Sequence, residues 1–311
     1  MAEELAMREV YGKTLAELGA ENPDIVVLDA DLSASTQTKF FADKFPERFF
    51  DCGIAEQNMV TIAAGLASAG KIPFASTFAV FAPGRCFDQV RVSISQAKMN
   101  VKLVSTHSGL SVGEDGATHQ AIEDLALATS LLNFTVLVPA DGVETAQAVR
   151  AAAALQGPVY IRLPRLKSPV FYDKRYKFKI GKASQLRAGN DVTIFAIGIM
   201  VGEALTAAQN LAKKGIDARV INMSTLKPID ETIIRRAAVE TGAVVTVEEH
   251  IENGGLGSAV ARVIAKDIPV PIEFVAVQSY AESGPPADLL KKYGLTAPSI
   301  EKAVKKVLKR K

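Results

Sequence analysis

Tryptophan is absent from this 311-residue chain, and cysteine and histidine are scarce, with two of the first and three of the second. Cys52 and Cys86 match no zinc or dithiol spacing, and two cysteines make no disulfide scaffold in a chain of this size. Charge of one sign is also missing. A formal net charge of +2 leaves no field that would draw nucleic acid or an anionic membrane. The basic end Lys305-Lys306-Val307-Leu308-Lys309-Arg310-Lys311 reads as a solvated helix terminus complementing the helix dipole. No apolar run is long and uncharged enough to span a bilayer, and the first residues lack the basic, apolar and small-residue order of a signal peptide. The expected compartment is therefore the cytoplasm. What is abundant is aliphatic: 48% of residues are apolar and only 6% aromatic, the balance of an α/β enzyme with room for two domains.

The pattern along the chain alternates. Leu5, Val10, Leu15 and Leu18 predict an amphipathic helix over residues 3–20, closed by Gly19. Ile25-Val26-Val27-Leu28 predicts a buried parallel strand, with Asp29 to Ser33 at its carboxyl end, where such folds bind ligands. Helices are expected over 56–68 (Gly70 as C-cap), 84–97, 120–131 and 143–155, and strands over 72–76, 101–105, 135–139 and 159–163. Residues 1–166 thus read as an α/β domain with a doubly wound parallel sheet. A Lys- and Tyr-rich stretch within 167–190 reads as a linker. Residues 191–311 form a second, smaller α/β domain, with strands over 192–198, 218–221, 243–247 and 272–275. Its helices are expected near 201–214, 230–240, 256–265, 285–292 and 298–309.

Three segments carry chemistry. In Asp51-Cys52-Gly53-Ile54-Ala55-Glu56-Gln57-Asn58-Met59, Glu56 opens a helix after a glycine turn; alone, such an acid serves the helix dipole. Thr77-Phe78-Ala79-Val80-Phe81 follows a buried strand, and alone the two rings read as packing. His107 and His119 flank one glycine-rich loop with Glu114-Asp115 between them, which packing explains less well. In this order the segments resemble the pyrimidine-binding half of the transketolases. Gly53-Ile54-Ala55-Glu56-Gln57 is similar to their Gly-Ile-x-Glu-His/Gln element, and Thr77 to Phe81 to Thr-Phe-x-x-Phe. Thr106-His107 with Gly113-Glu114-Asp115-Gly116-Ala117-Thr118-His119-Gln120 resembles Thr-His-Asp-Ser…Gly-Glu-Asp-Gly-Pro-Thr-His-Gln. The departures are Ser108-Gly109, Ala117, and Gly84 where single-chain members often have a third aromatic.

The resemblance implies thiamine diphosphate as cofactor. It implies that Glu56 exchanges a proton with the aminopyrimidine ring, while the cofactor supplies the electron sink. It gives Phe78 ring stacking and makes Phe81 a pocket wall. His119 is implied at the reacting oxygens, Asp115 at a sugar hydroxyl and His107 at the substrate's phosphate end. Arg8, Ser35 and Arg165 match phosphate-binding positions, a task suited to the guanidinium fork. Asp31 falls near the cofactor and subunit interface without a catalytic role.

The family's Gly-Asp-Gly…Asn element, which holds the diphosphate through Mg2+, has no counterpart here. The chain starts at the pyrimidine-binding domain, so the expectation is the C-terminal section of a split transketolase. A separate N-terminal subunit would supply the diphosphate and Mg2+ site in an α2β2 assembly with a homodimeric core, acting on sugar phosphates. The implied reaction moves a two-carbon ketol unit from a ketose phosphate to an aldose phosphate. Alternatives are half of a deoxyxylulose-phosphate synthase-like or 2-oxo acid dehydrogenase-like enzyme, or a non-catalytic homologue that docks a partner. Cys52 reads as a small buried residue rather than a nucleophile. His250 reads as structural, with acidic neighbours that could raise its pKa. Gly254-Gly255-x-Gly257 lacks the full dinucleotide fingerprint.

Overall fold

The computed structural model describes residues 3–173 and 175–311. The first part of the chain runs β1 (Glu4–Ala6), α1 (Met7–Glu21), β2 (Ile25–Asp29), α2 (Ser33–Thr36), α3 (Lys39–Ala42), β3 (Phe49–Asp51), α4 (Glu56–Ser68), β4 (Ile72–Phe78), α5 (Phe87–Gln89) and β5 (Lys102–Thr106). It continues with α6 (Asp124–Ser130), β6 (Thr135–Leu137), α7 (Gly142–Ala154), β7 (Val159–Arg162) and β8 (Lys167–Pro169). The second part comprises β9 (Ser184–Arg187), β10 (Val192–Ala196), α8 (Met200–Ala212), β11 (Ala218–Asn222), β12 (Thr225–Lys227), α9 (Glu231–Thr241), β13 (Val244–Ile251), α10 (Leu256–Asp267), β14 (Ile272–Val277), α11 (Pro286–Lys292) and α12 (Ala297–Leu308).

The larger sheet has the order β12-β6-β7-β5-β4-β2-β3, parallel except for β12. Its strands β2 and β5 are buried at every residue, as expected where helices cover both faces. The second sheet, β14-β13-β10-β11-β9, is parallel except for β9. One apolar core runs through both parts, bringing Phe134, Val136 and Val138 together with Ile221, Met223 and Leu226.

Several boundaries differ from the sequence expectation. The first helix passes through Gly19 and ends at Glu21; the glycine makes room for Phe41 and Phe45, which a Cβ there would overlap, and does not close the helix. Gly70 does adopt a left-handed φ of +86° just past α4. The helix expected over 84–97 is one short α-turn followed by a π-helical segment, Val90–Gln96. The one expected over 120–131 shortens to α6. The stretch read as a linker, 167–190, carries two strands: β8 pairs with β1, and β9 joins the second sheet. Its Tyr172 and Tyr176 stack at 3.7 Å, and both phenols belong to a network around buried Glu144 and Asn222 that ties the two parts together.

Candidate functional site

The carboxyl ends of adjacent parallel strands place the site. Register pairs Arg162 with Ser105, Thr106 with Phe78, Ser76 with Asp29 and Asp29 with Asp51. The residues just beyond these ends therefore line up along one edge: Arg165 after β7, His107 after β5, Phe78 at the end of β4, Asp31 and Ser35 after β2, and Glu56 after β3.

Glu56 is the first residue of α4 and is buried. The turn before it is held by Asp51, whose Oδ1 accepts from the backbone N–H of Gly53 at 2.9 Å and of Asp31 at 3.1 Å. Arg85 Nη1 donates to both Glu56 oxygens, at 3.0 and 3.1 Å. The same guanidinium lies 4.0 Å from the Phe81 ring centre, a cation–π contact. The Arg85 side chain is 45% exposed, so it screens Glu56 with a cation that solvent can receive.

Four rings form the middle of the site. Phe78 stacks on His107 at 3.9 Å and lies offset from Phe81 at 6.0 Å, while His119 stands edge-on to Phe81 at 5.5 Å. Phe78 is buried and one face is taken by His107, whereas Phe81 is half-buried and its covering group is the movable Arg85. The geometry thus favours Phe81, rather than Phe78, as the ring with a face to offer. Next to Phe78, the Thr77 hydroxyl is buried without a partner among the described residues.

At the far end lie Arg8, Arg165 and His107. Arg8 Nη1 donates to the Ser35 carbonyl at 2.8 Å, so the backbone of Ser35, not its hydroxyl, makes this contact. Arg165 Nη1 donates to the Val112 carbonyl at 2.6 Å and to Glu114 at 3.3 Å, and lies 4.0 Å from Asp115. Burial first, then Arg8, Arg165 and His119, push the His107 pKa down to about 3, so the ring is neutral at pH 7. His107 holds φ +59°, a left-handed conformation uncommon outside glycine. Its Nδ1 lies 2.8 Å from Thr106 Oγ1, and His119 Nδ1 lies 2.9 Å from Thr118 Oγ1.

Cys52 is half-buried rather than buried, and partial burial, with Asp51 and Asp29 nearby, raises its thiol pKa, the direction of an unreactive cysteine. His250 moves opposite to the expectation: burial outweighs its acidic neighbours and lowers its pKa to about 4. Its Nε2 accepts from the N–H groups of Leu125 and Ala126, both at 3.2 Å. At the glycine cluster, Glu248 takes the N–H groups of Leu256 and Gly257, each at 2.7 Å. A carboxyl group of the chain itself thus takes the N–H groups at the start of α10, where a nucleotide phosphate would need them. Among the described residues no three or more His, Cys, Asp or Glu side chains group to hold a metal, and no helix is long and apolar enough to cross a membrane. Sequence reasoning missed Arg85 and Glu249; the signals were an arginine beside the Gly84 departure and an acidic pair in a buried strand.

Comparison with known proteins gives the family. Residues 3–170 match the family model described as transketolase, pyrimidine binding domain, and residues 181–300 match that of the transketolase C-terminal domain. The chain is 46% identical over 308 residues to a protein of Methanocaldococcus jannaschii described as a transketolase C-terminal section, covering 98% of this chain and 96% of that one. It is 44% identical over 310 residues to a 6-deoxy-6-sulfo-D-fructose transketolase subunit of a Clostridium species, covering 99% and 96%. A solved structure described as a split gene transketolase, inactive beta4 tetramer, superposes with a TM-score of 0.93 at 54% identity, covering 99% of each chain.

Proposed function

Because this chain belongs to the transketolase family, which depends on thiamine diphosphate, and matches the C-terminal section of split transketolases, we propose that it is the pyrimidine-binding subunit of a two-chain transketolase. The observation that carries this reading is the continuous contact chain Glu56–Arg85–Phe81–His119, with Phe78 and His107 stacked beside it. It offers an acid, an aromatic face and a hydrogen-bonding imidazole in sequence.

The residues fit an aminopyrimidine. Glu56 offers a carboxylate whose one side-chain partner among the described residues is a displaceable arginine, Phe81 offers a ring face, and the orphan Thr77 hydroxyl offers a buried polar group. When bound, the thiazolium ring supplies the carbon that takes up the two-carbon unit and stabilises its electrons. Glu56 holds and returns a proton at the pyrimidine ring nitrogen. His119 orients the reacting oxygens, and Asp115 reads a sugar hydroxyl. Arg8, Arg165 and neutral His107 receive the anionic end of the sugar, the two forks by paired N–H groups. The diphosphate and its Mg2+ fall to a separate N-terminal subunit in an α2β2 complex.

The test is reconstitution with that subunit and assay of ketol transfer from xylulose 5-phosphate to an aldose phosphate, with pyruvate as the competing donor. Transfer by the pair and none by this chain alone is the expected result. Turnover of pyruvate instead would replace it with a synthase- or dehydrogenase-type reading. Because one relative is named for a sulfonated ketose, and arginine forks serve sulfonate as well as phosphate, 6-deoxy-6-sulfo-fructose belongs in the same panel.

A further inference from the structure

The loop that carries His119 is gripped by the second part of the chain. Its neck is closed by Gly109, whose N–H donates to the Ala121 carbonyl at 2.8 Å. Against this neck sits Glu249, fully buried on β13. Its Oε1 accepts from the Ser111 N–H and its Oε2 from the Ser111 hydroxyl at 3.1 Å. Gly109 has φ +78°, and a Cβ there would overlap the Glu249 carboxyl group. A glycine is therefore required twice over, by conformation and by the closeness of this acid. Arg162 joins the other side of the neck to the same strand, donating to the carbonyls of Ala121 at 3.1 Å and Glu249 at 3.0 Å. The Ile251 N–H donates to the Ile122 carbonyl at 2.9 Å. Further along, Gly113 packs on Pro286, Gly116 on Ser283, and Gln120 donates to the Glu282 carbonyl at 3.0 Å.

We infer that Glu249 is a positioning residue: through Ser111 and Gly109 it sets the loop that presents His107 and His119 to the sugar, and this is a task of the C-terminal domain. The inference rests on the transketolase reading for its substrate but not for its geometry. The neck begins at Gly109, two residues after His107, so it fixes the left-handed turn that lays that ring on Phe78. Its other end follows two residues after His119, so the same neck fixes that ring's stand-off from Phe81. Among the described residues no hydrogen bond joins the Glu56 or Arg85 side chain to this neck, so the acid side is expected to keep its geometry without it.

The test compares Ser111→Ala, Glu249→Gln and the double variant in the full chain, alone and reconstituted with its N-terminal subunit. Thr193→Val is the control, because it removes a buried hydrogen bond in the same domain, between β10 and Thr241 at the end of α9. Histidine-selective NMR reads three imidazoles, since the chain has only three. The expected result is displaced His107 and His119 signals in both single variants and unmoved ones in the control. In the complex, the KM for ketose phosphate rises about tenfold while the thiamine diphosphate Kd changes by less than about twofold, the scale of one hydrogen bond lost on the sugar side. The double variant should match one single variant rather than their product. Unmoved signals, or cofactor affinity weakening in step with KM, would overturn the assignment. If the wild-type pair transfers no ketol unit, the functional reading fails, and the imidazole signals still decide whether the clamp exists.

Discussion

The acid side of the site and the histidine side are held in different ways. Glu56 leaves the first turn of a helix, and its carboxylate meets a half-exposed arginine that a ligand could displace. His119 and His107 ride on a loop whose neck is fixed by buried groups from a distant part of the chain, among them Glu249, Arg162 and Ile251. The difference suits the proposed order of events. A side that must exchange a proton with a cofactor stays replaceable, while a side that must read a sugar is arranged before the sugar arrives, when binding need not supply the ordering.

The comparison is broken most severely by Glu56→Ala. In the reconstituted pair, steady-state kcat is expected to fall by about 10²- to 10⁴-fold, the usual worth of a positioned acid–base group, with little change in melting temperature. Normal turnover would remove Glu56 from the mechanism. Asp124→Ala attacks the other side through stability. Asp124 accepts from Arg162 Nε and Tyr160 Oη, both at 2.8 Å and all buried, so denaturant unfolding should show a loss of about 3–5 kcal/mol. A shift no larger than that of a surface substitution would mean the clamp is not held by this pair.

A smaller effect concerns pH. Burial raises the Glu249 pKa to about 7 and that of Glu248 to about 8. With folded values above unfolded ones, these acids contribute stability that is full below the ordinary glutamate range and is lost as pH rises through 7 and 8. His250 and His107 are depressed to about 4 and 3 and act the other way, losing their contribution as pH falls below their ordinary value. Thermal scans between about pH 5 and about pH 8 should therefore show a shallower fall in melting temperature for Glu249→Gln than for the wild type. Parallel curves would place the titration elsewhere. The smallest expected effect is Arg85→Ala. Without a competitor for Glu56, thiamine diphosphate should bind the complex up to about fivefold more tightly by calorimetry, the scale of a part-exposed ion pair; weaker binding would make Arg85 a ligand rather than a screen.

Much of this was legible in the residues. The strands read as short apolar runs because parallel strands buried on both faces have no polar alternation to obscure them. The site residues follow those runs because such sheets bind ligands at their carboxyl ends. What was not legible depends on partners remote in the chain. Thr225-Leu226-Lys227 is too short to announce a strand. The helix expected over 120–131 is shorter because Ile122 lies in the core of the second part, with Ile251 packed against the same cluster, and not on a helix face. His107, twenty-nine residues further on, covers one face of Phe78, and no local run announces that contact. The sign at His250 reversed because counting nearby acids says nothing about the loss of water around the ring.

One strand has a consequence for how the molecule could be taken apart. β12 comes from the second part of the chain yet edges the first sheet, with Thr225 opposite Leu137, while the Val138 N–H reaches the Ser224 carbonyl at 2.8 Å and Lys227 Nζ caps the Thr129 and Leu131 carbonyls. A protease cut between residues 170 and 183 would sever the covalent link and leave the fragments stitched together, co-eluting as one particle. Expressing residues 3–170 by themselves would instead strip β6 of its neighbour and expose a bare edge ready to pair with other copies. The boundary between the two parts is a seam with a stitch across it, and gene fragments drawn to the domain limits would cut that stitch.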